Sequence, residues 1–117
     1  MWLITPIGFF SIVEKPEDRA SGTLTVRARV RADLDALQRQ FLTALGPIQE
    51  SVDSDYRYRA TAARADVAAA MTALVNDVTY SNFKREVSKR QSPARAHVYH
   101  LVWDVLYRLQ AGKPTPK

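Results

Sequence analysis

Thr23-Leu24-Thr25-Val26-Arg27-Ala28-Arg29-Val30 decides the fold class. Successive side chains of an extended chain point to opposite faces. Leu24, Val26, Ala28 and Val30 therefore share one side, and Thr25, Arg27 and Arg29 the other. This period of two marks a strand with one covered face and one basic, solvated face. An antiparallel sheet with helices on one side accommodates it.

Upstream, Leu3, Ile4, Ile7, Phe9, Phe10, Ile12 and Val13 form an apolar opening interrupted by Thr5-Pro6-Ile7-Gly8. Proline removes a donor and glycine permits turn conformations, so the opening is either a tight hairpin or a bent strand, with its main strand at residues 8–14. Lys15 to Gly22 holds Pro16 and Gly22 and reads as a loop. Downstream, Asp33 suits the start of a helix running to about residue 44, with Leu34, Leu37, Phe41 and Leu45 as its apolar stripe. Gly46-Pro47 ends it, and residues 48–54 read as a loop.

Tyr56 to Thr61 alternates again, with Tyr56, Tyr58 and Ala60 toward the core and Arg57 and Arg59 away from it. Asp66 opens a second helix that buries Val67, Ala70, Met71, Leu74 and Val75. Arg31-Ala32-Asp33-Leu34 and Arg64-Ala65-Asp66-Val67 match, which we read as shared capping chemistry. A short helix follows at residues 80–90, with Tyr80, Phe83 and Val87 inward and Asn82 closing the turn before it. Ser92 caps a last helix with Pro93 in its first turn, running to about Ala111. Its core stripe is Ala94, Val98, Leu101, Val102, Val105 and Leu109, flanked by Tyr99, Trp103, Leu106 and Tyr107. The expected fold is α+β: a small antiparallel sheet of three or four strands with about three helices packed on one face. Residues 1–112 form a single domain and 113–117 a flexible C-terminal tail.

Composition narrows the function. The chain has 117 residues, the size of one domain. It contains no cysteine, which removes disulfides, thiolate nucleophiles and cysteine-bound metals. The opening residues lack a basic region and a long apolar run, so they do not read as a signal peptide, and no stretch reads as a membrane span. A cytoplasmic location is expected. The formal net charge is +5. Residues 1–50 hold six basic and six acidic side chains, and residues 51–117 hold eleven and six. That excess favours an acidic partner.

Two basic clusters are candidates. Arg27, Arg29, Arg57 and Arg59 face away from the expected core and form one patch if their strands are neighbours. Crowded guanidiniums repel, so the patch takes acidic oxygens from a ligand or an internal partner such as Glu14, or else it is an ordinary solvated sheet face. Lys84, Arg85, Lys89, Arg90 and Arg95 are offset by Glu86 alone and resemble a phosphate-contacting helix or an ordinary exposed one. His97, His100 and Asp104 could be drawn as a metal site or a base with its orienting carboxylate, but the set lacks a further ligand and a nucleophile. Surface hydrogen bonding accounts for them. No glycine-rich phosphate loop is present, and no catalytic residue, metal ligand or cofactor is assigned.

Met1-Trp2-Leu3-Ile4-Thr5-Pro6-Ile7-Gly8-Phe9-Phe10-Ser11-Ile12-Val13 is similar to the start of an uncharacterised family of small, mainly actinobacterial proteins. Leu24 to Val30, Tyr80-Ser81-Asn82-Phe83-Lys84, and Ala94 to His100 with Trp103 resemble later blocks of that family. The resemblance implies a bacterial or phage-borne cytoplasmic protein and carries over no activity or site. Together these readings describe a non-enzymatic protein that binds an acidic partner, with nucleic acid or a nucleoprotein complex foremost. The alternative is a protein–protein adaptor or inhibitor, in one version a homodimer, that uses Tyr99, Trp103 and Tyr107 on the aromatic flank of the last helix.

Overall fold

The computed structural model describes residues 1–110. The expected tail at 113–117 lies outside them, while the last helix, expected to run to about Ala111, ends at Tyr107 within them. The chain falls into two compact units, Met1–Thr79 and Tyr80 onward. Among the described residues there are five strands and five helices, an α+β mix. The sheet is thus larger than the three or four strands expected.

In the first unit, β1 (Trp2–Thr5) and β2 (Gly8–Val13) form a tight hairpin around Pro6 and Ile7. Thr5 fixes the turn: its Oγ accepts from the Ile7 and Gly8 amides and donates to the Gly8 carbonyl. β3 (Thr23–Ala28) pairs antiparallel with β2, and β5 (Tyr58–Ala63) antiparallel with β3. The two-residue β4 (Gln49–Glu50) completes the order β1-β2-β3-β5-β4. It lies inside the stretch expected as a loop.

Alternation then sorts the side chains. Leu3, Phe10, Ile12, Leu24, Val26, Ala28, Tyr58, Ala60 and Ala62 belong to one hydrophobic core. Two helices cover that face: α2 (Arg31–Gln40) inserts Leu34 and Leu37, and α3 (Arg64–Asn76) inserts Val67 and Ala70. Burying each of the two leucines and the valine contributes about 1.5–3 kcal/mol.

Three expectations about helix starts need correction. Residues 16–21 are not a loop but a short helix, α1 (Pro16–Ser21). Pro16 starts it, and Gly22 ends it in the left-handed region at φ 68°. Asp18 faces the sheet side away from α2 and α3, where its carboxylate accepts from Thr23 Oγ at 2.6 Å, Thr25 Oγ at 2.7 Å and the Lys15 amide at 2.8 Å. Asp33 does not cap its own helix, because α2 begins at Arg31 with Val30 as N-cap. Its buried carboxylate instead accepts from the Phe9 amide at 3.0 Å and ties α2 to β2. A Cβ on Gly8 would stand 2.7 Å from the Asp33 side chain, so this approach requires glycine. Asp66 likewise lies inside the first turn of α3, where it meets the positive end of the helix dipole, and Ala63 is the N-cap.

The second unit contains α4 (Phe83–Arg90) and α5 (Pro93–Tyr107). Asn82 Oδ1 caps α4 by accepting from the Arg85 amide at 2.9 Å, and Ser92 Oγ caps α5 by accepting from the Arg95 amide at 3.1 Å. Phe83 stacks on Tyr99 at 5.9 Å between ring centres. This contact reverses the expected orientation of the last helix. Ala96 and Tyr99 are its buried residues, while Val98, Leu101, Val105 and Leu109 from the expected core stripe are exposed. Among the described residues, no helix is long and apolar enough to cross a membrane.

Candidate functional site

The sheet has a second face, turned away from α2 and α3. Strand register places Trp2, Ser11, Arg27, Arg59 and Gln49 in one row across all five strands. Strands stand about 4.8 Å apart, so Trp2 and Arg59 are about 14 Å apart along that row. Arg27 and Arg59 oppose each other directly, in the neighbouring strands that the arginine patch required. Like charges so placed destabilise a sheet by about 0.2–1 kcal/mol.

No carboxylate relieves them. Arg27 Nη2 donates to Ser11 Oγ at 2.8 Å. Arg59 Nη2 donates to Ser54 Oγ and to the Tyr56 carbonyl. The Nε atoms of both arginines are buried without a hydrogen-bond partner. Arg29 donates to the Asp55 carbonyl. Among the described residues none of these three guanidiniums makes an ion pair. Glu14, the internal partner weighed from the sequence, is bonded elsewhere, to Arg19 at 3.2 Å and Arg64 at 2.6 Å. Those two arginines hold its carboxyl below the usual glutamate range.

Arg57 departs from the group. Its Nε donates to Glu50 Oε2 at 2.6 Å, and that bond raises its pKa above the ordinary arginine value. It is satisfied within the chain.

Aromatic rings complete the face. Tyr56 was expected on the helix-covered side with Tyr58. It lies instead on the arginine side, because β5 begins only at Tyr58 and the alternation does not reach back through the bend before it. The Arg27 and Arg29 guanidiniums stand over its ring, 4.5 and 4.4 Å from the centroid. Such contacts help hold a guanidinium in place. Phe9 packs beside Tyr56, and Trp2 meets Phe9 edge to face at 5.8 Å. Trp2 is 71% exposed. Trp2, Phe9, Ser11, Ser54 and Tyr56 were not read as site residues from the sequence. The Thr5–Gly8 hairpin signal was the clue available, since a two-residue turn there sets Trp2 opposite Ser11.

The other predicted residues belong to the second unit. Lys84 Nζ donates to His100 Nδ1 at 3.0 Å and lies 5.6 Å from the Trp103 ring centre. His100 Nε2 is 3.7 Å from Asp104, and His97 is exposed. Arg90 pairs with Glu86 at 2.6 Å, and Arg95 lies over Tyr99. Arg85 and Lys89 are exposed on α4, one turn apart. On α5, His100, Trp103 and Tyr107 form a continuous stack, with centroid spacings of 5.7 and 4.9 Å. Trp103 is half exposed, Tyr107 partly covered and Tyr99 buried. The nine basic residues therefore divide between the two units, four in the first and five in the second.

No family model, curated protein or solved structure matches this chain.

Proposed function

We propose that the protein is a non-enzymatic binding protein for a polyanion, and that nucleic acid is its partner. The observation that carries this reading is the Arg27–Arg59 pair, opposed across neighbouring strands and joined by Arg29, with hydroxyl and carbonyl partners but no carboxylate. Phosphate oxygens supply the missing negative charge, and a planar guanidinium offers them paired donors. Lys84, Arg85, Lys89, Arg90 and Arg95 add a second basic surface that holds most of the chain's excess charge.

The test is binding of the full chain to mixed DNA and RNA oligonucleotides at 50 and 200 mM salt. The reading expects retention at 50 mM and a steep loss by 200 mM, since bound phosphates release counterions. Replacing Arg27, Arg29 and Arg59 with glutamine, or Lys84, Arg85, Lys89 and Arg90 with glutamine, assigns the loss to one surface or both. No retention at low salt ends this reading.

A second reading is favoured by α5. Val98, Leu101 and Val105 are 51–55% exposed at spacings of three and four. Valine and leucine alternating in this way suit a two-stranded helix pair. A second copy of the chain is the partner this implies, seated on the aliphatic side of α5 rather than on the aromatic flank. Light scattering that gives a monomer mass at all accessible concentrations ends it.

A further inference from the structure

We infer that the arginine face takes single-stranded rather than duplex nucleic acid, with a base stacked on Trp2. This rests on the polyanion reading and specifies its ligand. The row that holds Arg27 and Arg59 ends at an indole that is 71% exposed on an edge strand. Burial of this ring would stabilise the fold, yet most of its surface is open, with Phe9 meeting it edge to face.

Duplex nucleic acid has no use for such a ring on a sheet. Its bases are stacked on one another, and it presents phosphates and groove edges. A single strand offers unstacked bases, which aromatic side chains and guanidinium planes bind through their faces. The geometry provides both kinds of contact in one line. Arg27 and Arg29 stand over Tyr56, each bonded within the chain through one terminal nitrogen, to Ser11 and to the Asp55 carbonyl, and Trp2 stands two strands away from Arg27. The row from Trp2 to Arg59 covers about 14 Å, the rise of about four stacked nucleotides. Of the neutral polar side chains in the row, Ser11 is buried and bonded to Arg27, and Gln49 alone is exposed, too few groups to read a base sequence. Recognition is therefore expected to depend on strandedness more than on sequence.

Acidic peptides share the charge but not the base faces. They satisfy Arg27, Arg29 and Arg59 and leave Trp2 unused.

The experiment uses the full chain carrying Trp103→Phe, so that Trp2 is the only indole. It is titrated at 50 mM salt with a single-stranded dodecamer, the matching duplex and polyglutamate of equal charge. The inference expects quenching of Trp2 emission by the single strand and at least tenfold weaker binding of duplex and polyglutamate. Trp2→Ala in the unmodified chain is expected to lose about tenfold in single-strand affinity, by the usual worth of one stacked base. Trp2→Phe, which keeps a ring, is expected to restore most of it, and neither change to alter duplex binding. Equal affinity for single strand and duplex, with Trp2 emission unchanged, overturns the inference and leaves the polyanion reading standing. Tighter binding of polyglutamate overturns the inference and shifts the partner to an acidic protein. Binding of none of the three overturns both.

Discussion

If Arg27 and Arg59 are held together for a ligand, the free protein should bear a measurable repulsion between them. Their guanidiniums extend from directly opposed positions, with Cβ atoms about 5 Å apart by strand geometry. Two unit charges about 5–10 Å apart repel by about 0.4–0.8 kcal/mol in water and about 1.7–3.3 kcal/mol at an effective dielectric constant of 20. Both residues are only partly buried, so the lower part of that range applies, about 1 kcal/mol. Arg27→Gln, Arg59→Gln and the double replacement form a cycle that isolates this term from the lost bonds to Ser11 and Ser54. Either single replacement relieves the whole repulsion, and the second adds none of it. Urea unfolding followed by circular dichroism, in 20 mM salt without phosphate or sulfate, should therefore give an unfavourable coupling of about 1 kcal/mol. The same cycle in 1 M salt, where the screening length is about 3 Å, should bring it close to zero. A coupling of zero or of favourable sign at low salt would refute the claim that these guanidiniums are frustrated in the free protein.

The fold makes further commitments. Gly8→Ala drives a Cβ to 2.7 Å from Asp33 and pushes α2 off β2, so unfolding should show a loss of about 1–3 kcal/mol. For Asp18, burial raises the carboxyl pKa, but the Thr23, Thr25 and Lys15 bonds outweigh it and hold the folded value below 3.8. The unfolded carboxyl thus binds protons first on acidification. The advantage of the wild type over Asp18→Asn should be full above about pH 4 and should vanish as the pH falls through the folded value, read by urea unfolding at each pH. Leu101→Lys on the exposed side of α5 should change stability by no more than about 0.5 kcal/mol, and a loss above 2 kcal/mol would show that this side is covered.

Much of the fold was legible because period and punctuation agreed. Leu24 to Ala28 alternates over a full strand, and Val26 and Ala28 are buried as their side requires; Thr25 on the other side, expected in solvent, is buried too, where it bonds Asp18 of α1. Asn82 and Ser92 do the capping that their positions imply. The failures have local causes. Pro16 and Gly22 read as breakers, yet proline at the first position and glycine just past the last are also how a short helix starts and stops. Tyr56 was placed by extending an alternation two residues beyond the end of its strand, which turned the ring to the wrong face. The last helix is apolar around most of its circumference, so its sequence does not say which side is covered; the Phe83–Tyr99 stack goes with burial of Ala96 and Tyr99. Part of the candidate site was legible in the same way. Arg27 and Arg59 were readable from alternation, but Trp2 belongs to the row only through strand order, which depends on non-local pairing. The pairing of Arg57 with Glu50 depends on β4, two residues long and without a pattern of its own.

The most direct measurement is the salt dependence of single-strand affinity for the wild type and for the Arg27→Gln, Arg29→Gln, Arg59→Gln triple variant. Each phosphate contact on a single strand contributes about 0.7 to the slope of log affinity against log salt, so loss of three should flatten it by about 2. That flattening, with weaker binding at 50 mM salt, is the result expected. An unchanged slope and affinity would show that the sheet arginines contact no phosphate and would contradict the account.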